Sequence, residues 1–214
     1  RSEVCIRNIP KNSRQADMLF LSVVKKMGCT VRYTTKGICV KGPDTLRALG
    51  VIHCADMPDA AMTVAILCAF AKGKSRLTGL GNLRVKESDR LAALENELNK
   101  IGCAAKTEKT SIAIYGIQEP QNATITPYND HRITQKGRSV GIATYNDHRI
   151  AMCFGLAQAR IPGLRIKNPS CVSKTYPNFW RDFGHARHAL AAQKNIVITG
   201  MRGSGKSSLA KALA

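Results

Sequence analysis

The chain has 214 residues, 44% of them hydrophobic and 22% charged, and its 33 lysines and arginines outnumber 14 aspartates and glutamates to give a formal charge of +19. That size and composition suit one large or two small globular domains, and the absence of a long apolar run or a secretory N-terminal pattern sets aside a membrane partner and a signal-bearing protein. The basic residues are spread along the chain, which favours anionic ligands, while one Trp, few other aromatics and no zinc-finger spacing argue against a nucleic-acid partner.

A helix is predicted over about residues 14–27. It ends at Gly28-Cys29 and is followed by two short strands reaching Ile38-Cys39-Val40-Lys41-Gly42. The same order returns later. An amphipathic helix over about 87–101 ends at Gly102-Cys103 and leads into strands reaching Ile112 and Gly116, with Gly, Cys, Ile and Gly at one offset from the first block. A second echo links Asp59 through Thr78 with Asp147 through Ile166: an acidic residue opens an almost wholly apolar helix, then come a loop and a strand. Asp59 is placed just before a helix beginning at Ala60, as an N-cap or a cleft-facing carboxylate. Helices apolar on every side are buried, so the repeats imply sheets wrapped around internal helices. The strand before Arg7, Asn8 and Ile9 reads as cut short.

Cysteines occur at 5, 29, 39, 54, 68, 103, 153 and 171, with no CxxC pair. Lacking a secretory signal, an even count is no evidence of disulfides. They read as small buried hydrophobes in a reducing, cytoplasmic compartment.

The stretch Asn82-Leu83-Arg84-Val85-Lys86-Glu87-Ser88-Asp89-Arg90 carries three cations and two carboxylates that core packing does not explain. Apolar residues follow at Leu91, Leu94, Leu98 and Ile101, a helical stripe, so Lys86 and Arg90 are expected one turn apart on the first turn. Free backbone donors and the helix dipole there would hold an anion, with Glu87 close enough to exchange a proton. The plain alternative is a solvated, salt-bridged helix start.

Tyr-Asn-Asp-His-Arg-Ile occurs twice, at 128–133 and 145–150. The second copy continues into Ala151–Leu156, an apolar helix, and the first into polar Thr134–Arg138, so the site is assigned to His148 and Arg149. After a polar bridge over 184–194, a strand pattern at 195–199 precedes Gly200-Met201-Arg202-Gly203-Ser204-Gly205-Lys206-Ser207. This is a phosphate-binding loop pattern: glycines free backbone donors to wrap a phosphate, Lys206 reaches it and Ser207 would hold magnesium.

Four strings in order, Met57–Thr63, Asn82–Arg90, Ala143–Met152 and Ser173–Phe179, resemble the second half of the 5-enolpyruvylshikimate-3-phosphate (EPSP) synthase family, over roughly residues 1–183. The resemblance implies an α/β (α+β) fold of repeated helix-plus-strand units with buried helices, the inside-out α/β barrel of enolpyruvyl transferases, with one domain nearly complete. It implies transfer of the enolpyruvyl group of phosphoenolpyruvate to the 5-hydroxyl of shikimate 3-phosphate without metal or organic cofactor, and glyphosate as an inhibitor. On the matching positions it implies that Asp59, Lys86, Glu87 and His148 serve proton transfer, Glu87 protonating the phosphoenolpyruvate methylene. Asn82 and Lys86 would orient shikimate 3-phosphate, and Arg90, Arg149 and Lys174 would grip phosphoenolpyruvate. The family's other domain and its motifs are absent, so the chain alone is expected to be inactive.

The tail resembles the opening of shikimate kinase, which follows the synthase in multifunctional arom proteins. The pattern stops at Ala214, so Gly200, Gly203, Gly205, Lys206 and Ser207 are expected to be a vestigial nucleotide site, with ATP and Mg relevant only to a complete kinase domain. The domain reading is therefore 1–183 synthase, 184–194 linker and 195–214 kinase start. Alternatives are an enolpyruvyl transferase acting on UDP-N-acetylglucosamine, disfavoured by the PDAAMT and RVKESDR strings, a nucleotide-binding module centred on Lys206, or a basic interaction protein with salt-sensitive DNA or RNA binding.

Overall fold

The computed structural model describes residues 3–117, 139–161, 163–191 and 196–198. Strand β1 (Glu3–Arg7) leads through a 3₁₀ turn (Ala16–Met18) into α1 (Leu19–Lys26), whose Phe20, Leu21, Val23 and Val24 face inward. The helix ends where Gly28 takes φ +102° and the Cys29 amide donates to the Val24 carbonyl, a closure available at little steric cost to glycine. Strands β2 (Thr30–Thr34) and β3 (Gly37–Lys41) then form an antiparallel hairpin. The second unit repeats this plan: α3 (Arg90–Lys100), Gly102 at φ +79° with the Cys103 amide on the Leu98 carbonyl, then the hairpin of β6 (Ala104–Thr107) and β7 (Ile112–Tyr115).

Between these lie β4 (Gly50–His53), α2 (Pro58–Ala69) and β5 (Lys74–Thr78), and after them β8 (Val140–Ile142), α4 (His148–Ala157) and β9 (Leu164–Ile166). With β10 (Ile196–Ile198) the sheets run β10-β1-β3-β2, β4-β5-β7-β6 and β8-β9, with β4/β5 and β8/β9 parallel across their helices. Ten consecutive residues of α2, Ala60 to Ala69, are buried, and α2 packs on α1, α3 and α4 as well as on β5 and β7. An almost featureless apolar helix is stable only with neighbours on all sides, and one continuous core supplies them. Val51 and Tyr115 stay exposed on sheet strands. Helices inside and sheets outside is the arrangement expected from the repeats.

Several local expectations change. The first helix begins at Leu19 rather than near 14, and the later one at Arg90 rather than 87. Residues 184–191 belong to α5 (Phe179–Ala191), whose Phe179, Phe183 and Ala186 pack on Val4, Ile6 and Val172, so this part of the expected bridge is helical. Strand β10 (Ile196–Ile198) falls in its expected place and pairs in parallel with β1. Cys5 and Cys39, directly opposite each other on β1 and β3, form a disulfide, against the expectation of eight free thiols; the other six are free and buried. Residues 128–133 and 200–207 lie outside the described residues. Among the described residues no helix is long and apolar enough to cross a membrane.

Candidate active site

The beginnings of α2, α3 and α4 converge, and each brings a charged residue. The Met57-Pro58 step starts α2 with no side-chain cap, which corrects the N-cap alternative for Asp59. Asp59 sits in the first turn instead and accepts from Arg90 Nη1 at 3.2 Å, with Arg149 Nη2 at 3.0 Å. At the start of α3, Asp89 caps its own helix by accepting the Ala92 amide at 2.9 Å. Lys86 is thus not on the first helical turn: it lies exposed in a bend between the 3₁₀ turn Gly81–Val85 and α3, and that helix end is occupied by its own carboxylate rather than open to an anion.

Asp147 caps α4 and is the most heavily bonded group of the site. Its oxygens accept from the Arg149 amide at 2.9 Å, Ser88 Oγ at 3.0 Å, Arg90 Nε at 2.7 Å and Arg90 Nη2 at 3.2 Å. Asp147 is fully buried and Arg90 is 4% exposed. Burial raises the Asp147 carboxyl, but the Arg90 bonds and charge outweigh it and hold the group below its ordinary value. Arg90 thereby spends its donors on protein carboxylates, forming the floor of the cluster.

Above this floor, Glu87 lies 2.9 Å from His148 Nδ1 and 3.8 Å from Arg90, and its other oxygen pairs with Lys174. Lys174 also donates to the Asn146 carbonyl at 3.3 Å. Burial and then the Arg149 charge push His148 below its ordinary value, against opposing attraction from Asp147, so it is neutral at neutral pH. The residues before His148 form a tight turn in which Tyr145 and Asn146 both take positive φ, +53° and +55°. Side chains in two successive left-handed positions are costly and persist where surroundings hold them.

The structure therefore assembles Asp59, Glu87, Arg90, His148, Arg149 and Lys174 into one ion-pair cluster. Asn82 and Lys86 are exposed beside it, and among the described residues neither enters its ion pairs. Asp147 and Ser88 complete the cluster and were not chosen from sequence; the signal for Asp147 was its place at the opening of a buried helix. Arg84 was counted only as a cation, yet it fastens the segment before α3 to the β6–β7 turn through the Lys109 and Glu108 carbonyls and Asp89. Glu87, Asp147 and His148 lie close enough for a metal ion. However, Arg90 takes both Asp147 oxygens, and Lys174 and His148 face those of Glu87, so the set suits an anion better than a divalent cation. Arg149 and Lys174 keep about a third or more of their side chains exposed, on carboxylates that are also partly exposed. Such pairs are weak and can be exchanged for ligand oxygens.

The sequence pattern of one family, EPSP synthase (3-phosphoshikimate 1-carboxyvinyltransferase), matches residues 1–138 and 133–183. The chain is 37% identical over 193 residues to the 3-phosphoshikimate 1-carboxyvinyltransferase of Buchnera aphidicola subsp. Cinara cedri (strain Cc), covering 89% of this chain and 40% of that one. It is 36% identical over 239 residues to the Pentafunctional AROM polypeptide 2 of Lodderomyces elongisporus, covering 100% of this chain and 14% of that one. The solved EPSP synthase of Acinetobacter baumannii superposes with a TM-score of 0.62 at 25% identity, over 91% of this chain and 42% of that one. The chain thus spans about 40% of the length of the single-function relatives it matches.

Proposed function

The chain belongs to the EPSP synthase family, and on that premise we propose that it supplies one half of an active site that moves the enolpyruvyl group of phosphoenolpyruvate to the 5-hydroxyl of shikimate 3-phosphate. The observation that carries this reading is the pairing of two exchangeable cations, Arg149 and Lys174, with Asp59 and Glu87 above the buried Arg90–Asp147 pair. An incoming phosphate or carboxylate takes Arg149 and Lys174 from their protein partners. Glu87 is then left with fewer cations, a setting that favours a carboxyl group able to carry a proton.

In the reaction, the 5-hydroxyl oxygen bonds to the central carbon of phosphoenolpyruvate while Glu87 protonates the methylene carbon, giving a tetrahedral phosphoketal. Asp59 accepts the hydroxyl proton as a carboxylate, or Lys86 does so in its neutral amine form. Phosphate then leaves with its bonding electrons, a proton returns from the methyl carbon to Glu87, and the enol ether is formed. Neutral His148, 2.9 Å from Glu87, is placed to orient it or to relay its proton. Asn82 and exposed Lys86 hold shikimate 3-phosphate. Cations fixed before the reaction stabilise the charge on the departing phosphate. No metal or organic cofactor enters this scheme, and ATP with Mg belongs to a complete kinase domain.

We read residues 1–183 as the synthase part and the tail as the kinase start, in a cytoplasmic enzyme sensitive to glyphosate. Full-length similarity to an AROM polypeptide supports this division. Turnover requires the rest of the length that the relatives possess. The test is calorimetry of the chain with shikimate 3-phosphate, followed by phosphoenolpyruvate or glyphosate, beside Lys86→Ala and Arg149→Ala. Binding weakened by both substitutions is expected. A folded chain that binds none of the three overturns the half-site.

A further inference from the structure

We propose that Glu97 is a positioning residue for this site: from the interior of α3 its carboxylate fixes the turn that presents His148 and Arg149. Glu97 is completely buried, yet it belongs to none of the ion pairs that would touch substrate. A carboxylate withdrawn from water needs donors for both oxygens. Here they are Tyr145 Oη at 2.8 Å and Lys100 Nζ at 2.6 Å on one oxygen, and the Ala143 amide at 3.1 Å on the other. Two of the three donors come from the 143–147 segment, far away in sequence.

That segment is where the backbone is least comfortable. Tyr145 and Asn146 occupy consecutive left-handed positions immediately before Asp147, His148 and Arg149. The turn is held on one side by Glu97 and on the other by Asn168 Nδ2 on Asn146 Oδ1 at 3.2 Å and by Lys174 on the Asn146 carbonyl. The same helix carries Arg90, which grips Asp147 just beyond the turn. Helix α3 thus holds both ends of the segment, by Glu97 before the turn and by Arg90 after it. Removing the first hold lets the turn relax toward ordinary backbone angles and swings His148 and Arg149 relative to Glu87 and Asp59. A Gln in place of Glu97 can still accept the Ala143 amide with its carbonyl and donate to Tyr145 Oη with its amide, so it keeps the turn.

The inference rests on the proposed function for its consequence but not for its test. The groups that face His148 are Glu87 from the segment before α3, Arg90 from α3, Asp59 from α2, and Asp147 and Arg149 from α4. Its titration midpoint is therefore a gauge of the turn, read by NMR on the whole chain and assigned with His148→Gln. Glu97→Ala and Tyr145→Phe are expected to raise the midpoint toward the ordinary histidine value, and Glu97→Gln to restore the wild-type midpoint. Affinity for phosphoenolpyruvate is expected to fall about tenfold in Glu97→Ala, equivalent to about 1.4 kcal/mol. A wild-type midpoint in folded Glu97→Ala overturns the proposal. Should that variant fail to fold, Tyr145→Phe, which deletes one hydroxyl, decides by the same criterion. If wild-type chain binds no phosphoenolpyruvate, the half-site reading fails, and the His148 midpoints still decide the role of Glu97.

Discussion

Arg90 and Asp147 stand 57 positions apart in the chain and meet through two bonds, Nε to Oδ2 at 2.7 Å and Nη2 to Oδ1 at 3.2 Å, with both side chains buried. The pair joins the first residue of α3 to the cap of α4, and Asp59 of α2 completes the junction through Arg90 Nη1. Three internal helices are thus locked at the ends that carry the site.

Arg90→Met strands Asp147 without its partner, and the expected loss of stability is about 3–5 kcal/mol, measured by urea unfolding. The double variant Arg90→Met with Asp147→Leu removes both buried charges and should recover most of it, less the lost cap of α4 at about 1 kcal/mol. A single variant within about 1 kcal/mol of wild type would contradict the role of the pair.

Two groups of the cluster contribute to the acid limb of stability, beside the lowered carboxyls of Glu95 and Asp182 elsewhere. His148 has a lowered value in the fold, so between that value and its ordinary 6.5 the unfolded chain binds more protons. Stability therefore falls as pH drops through 6.5 and levels off below the folded value. Asp147 is lowered from 3.8 once Arg90 has overcome its burial, so its contribution is present above 3.8 and disappears as pH falls through the folded value. Urea midpoints from pH 7.5 downward should show an upper step from His148 and a lower one that Asp147 shares with Glu95 and Asp182, and His148→Gln should erase the upper one alone.

Lys86 is exposed in a bend, so Lys86→Ala should change stability by no more than about 0.5 kcal/mol. Affinity for shikimate 3-phosphate should fall about tenfold in the same variant, or about 1.4 kcal/mol by calorimetry. An equal affinity would remove Lys86 from the substrate set.

The six free cysteines are buried, and burial pushes Cys54 up to about 11 and Cys68 and Cys103 up to about 12. Thiolate is then scarce at neutral pH. Disulfide-exchange reagents should label almost none in the native chain, six after denaturation and eight after denaturation with reduction. Eight without reduction would contradict the Cys5–Cys39 bond.

Gly116 directly follows β7, its amide donates to the Gly73 carbonyl at 3.1 Å, and a Cβ placed there would strike the Ala71 carbonyl oxygen. Gly116→Ala should cost about 1–3 kcal/mol or more in urea unfolding, because backbone must move to admit it. Gly102→Ala meets nothing and carries only the strain of its positive φ.

Much of the fold could be read locally. Periodicity located α2 and α4 as buried helices, because an apolar residue at every position leaves no side for water, and Gly28 and Gly102 marked the helix ends that only a positive φ can close. Helix starts were read less well. The spacing places Lys86 and Arg90 on the first turn of a helix beginning near 87, whereas Asp89 caps the helix and leaves Lys86 outside it. The Cys5–Cys39 bond depends on strand register, which cysteine spacing does not encode.

The charged strings of the sequence point to Asp59, Glu87, Arg90, His148, Arg149 and Lys174, and the fold brings these six residues into one ion-pair cluster. Tertiary structure alone decided how they divide the work. It buried Arg90 on Asp147, left the ion pairs of Arg149 and Lys174 partly exposed, and set Glu97 under the turn that precedes His148 and Arg149. Charge is a property of a residue and can be read from sequence. Burial and hydrogen-bond partnership, which separate a fixed support from a group free to meet a ligand, arise only when distant segments pack together.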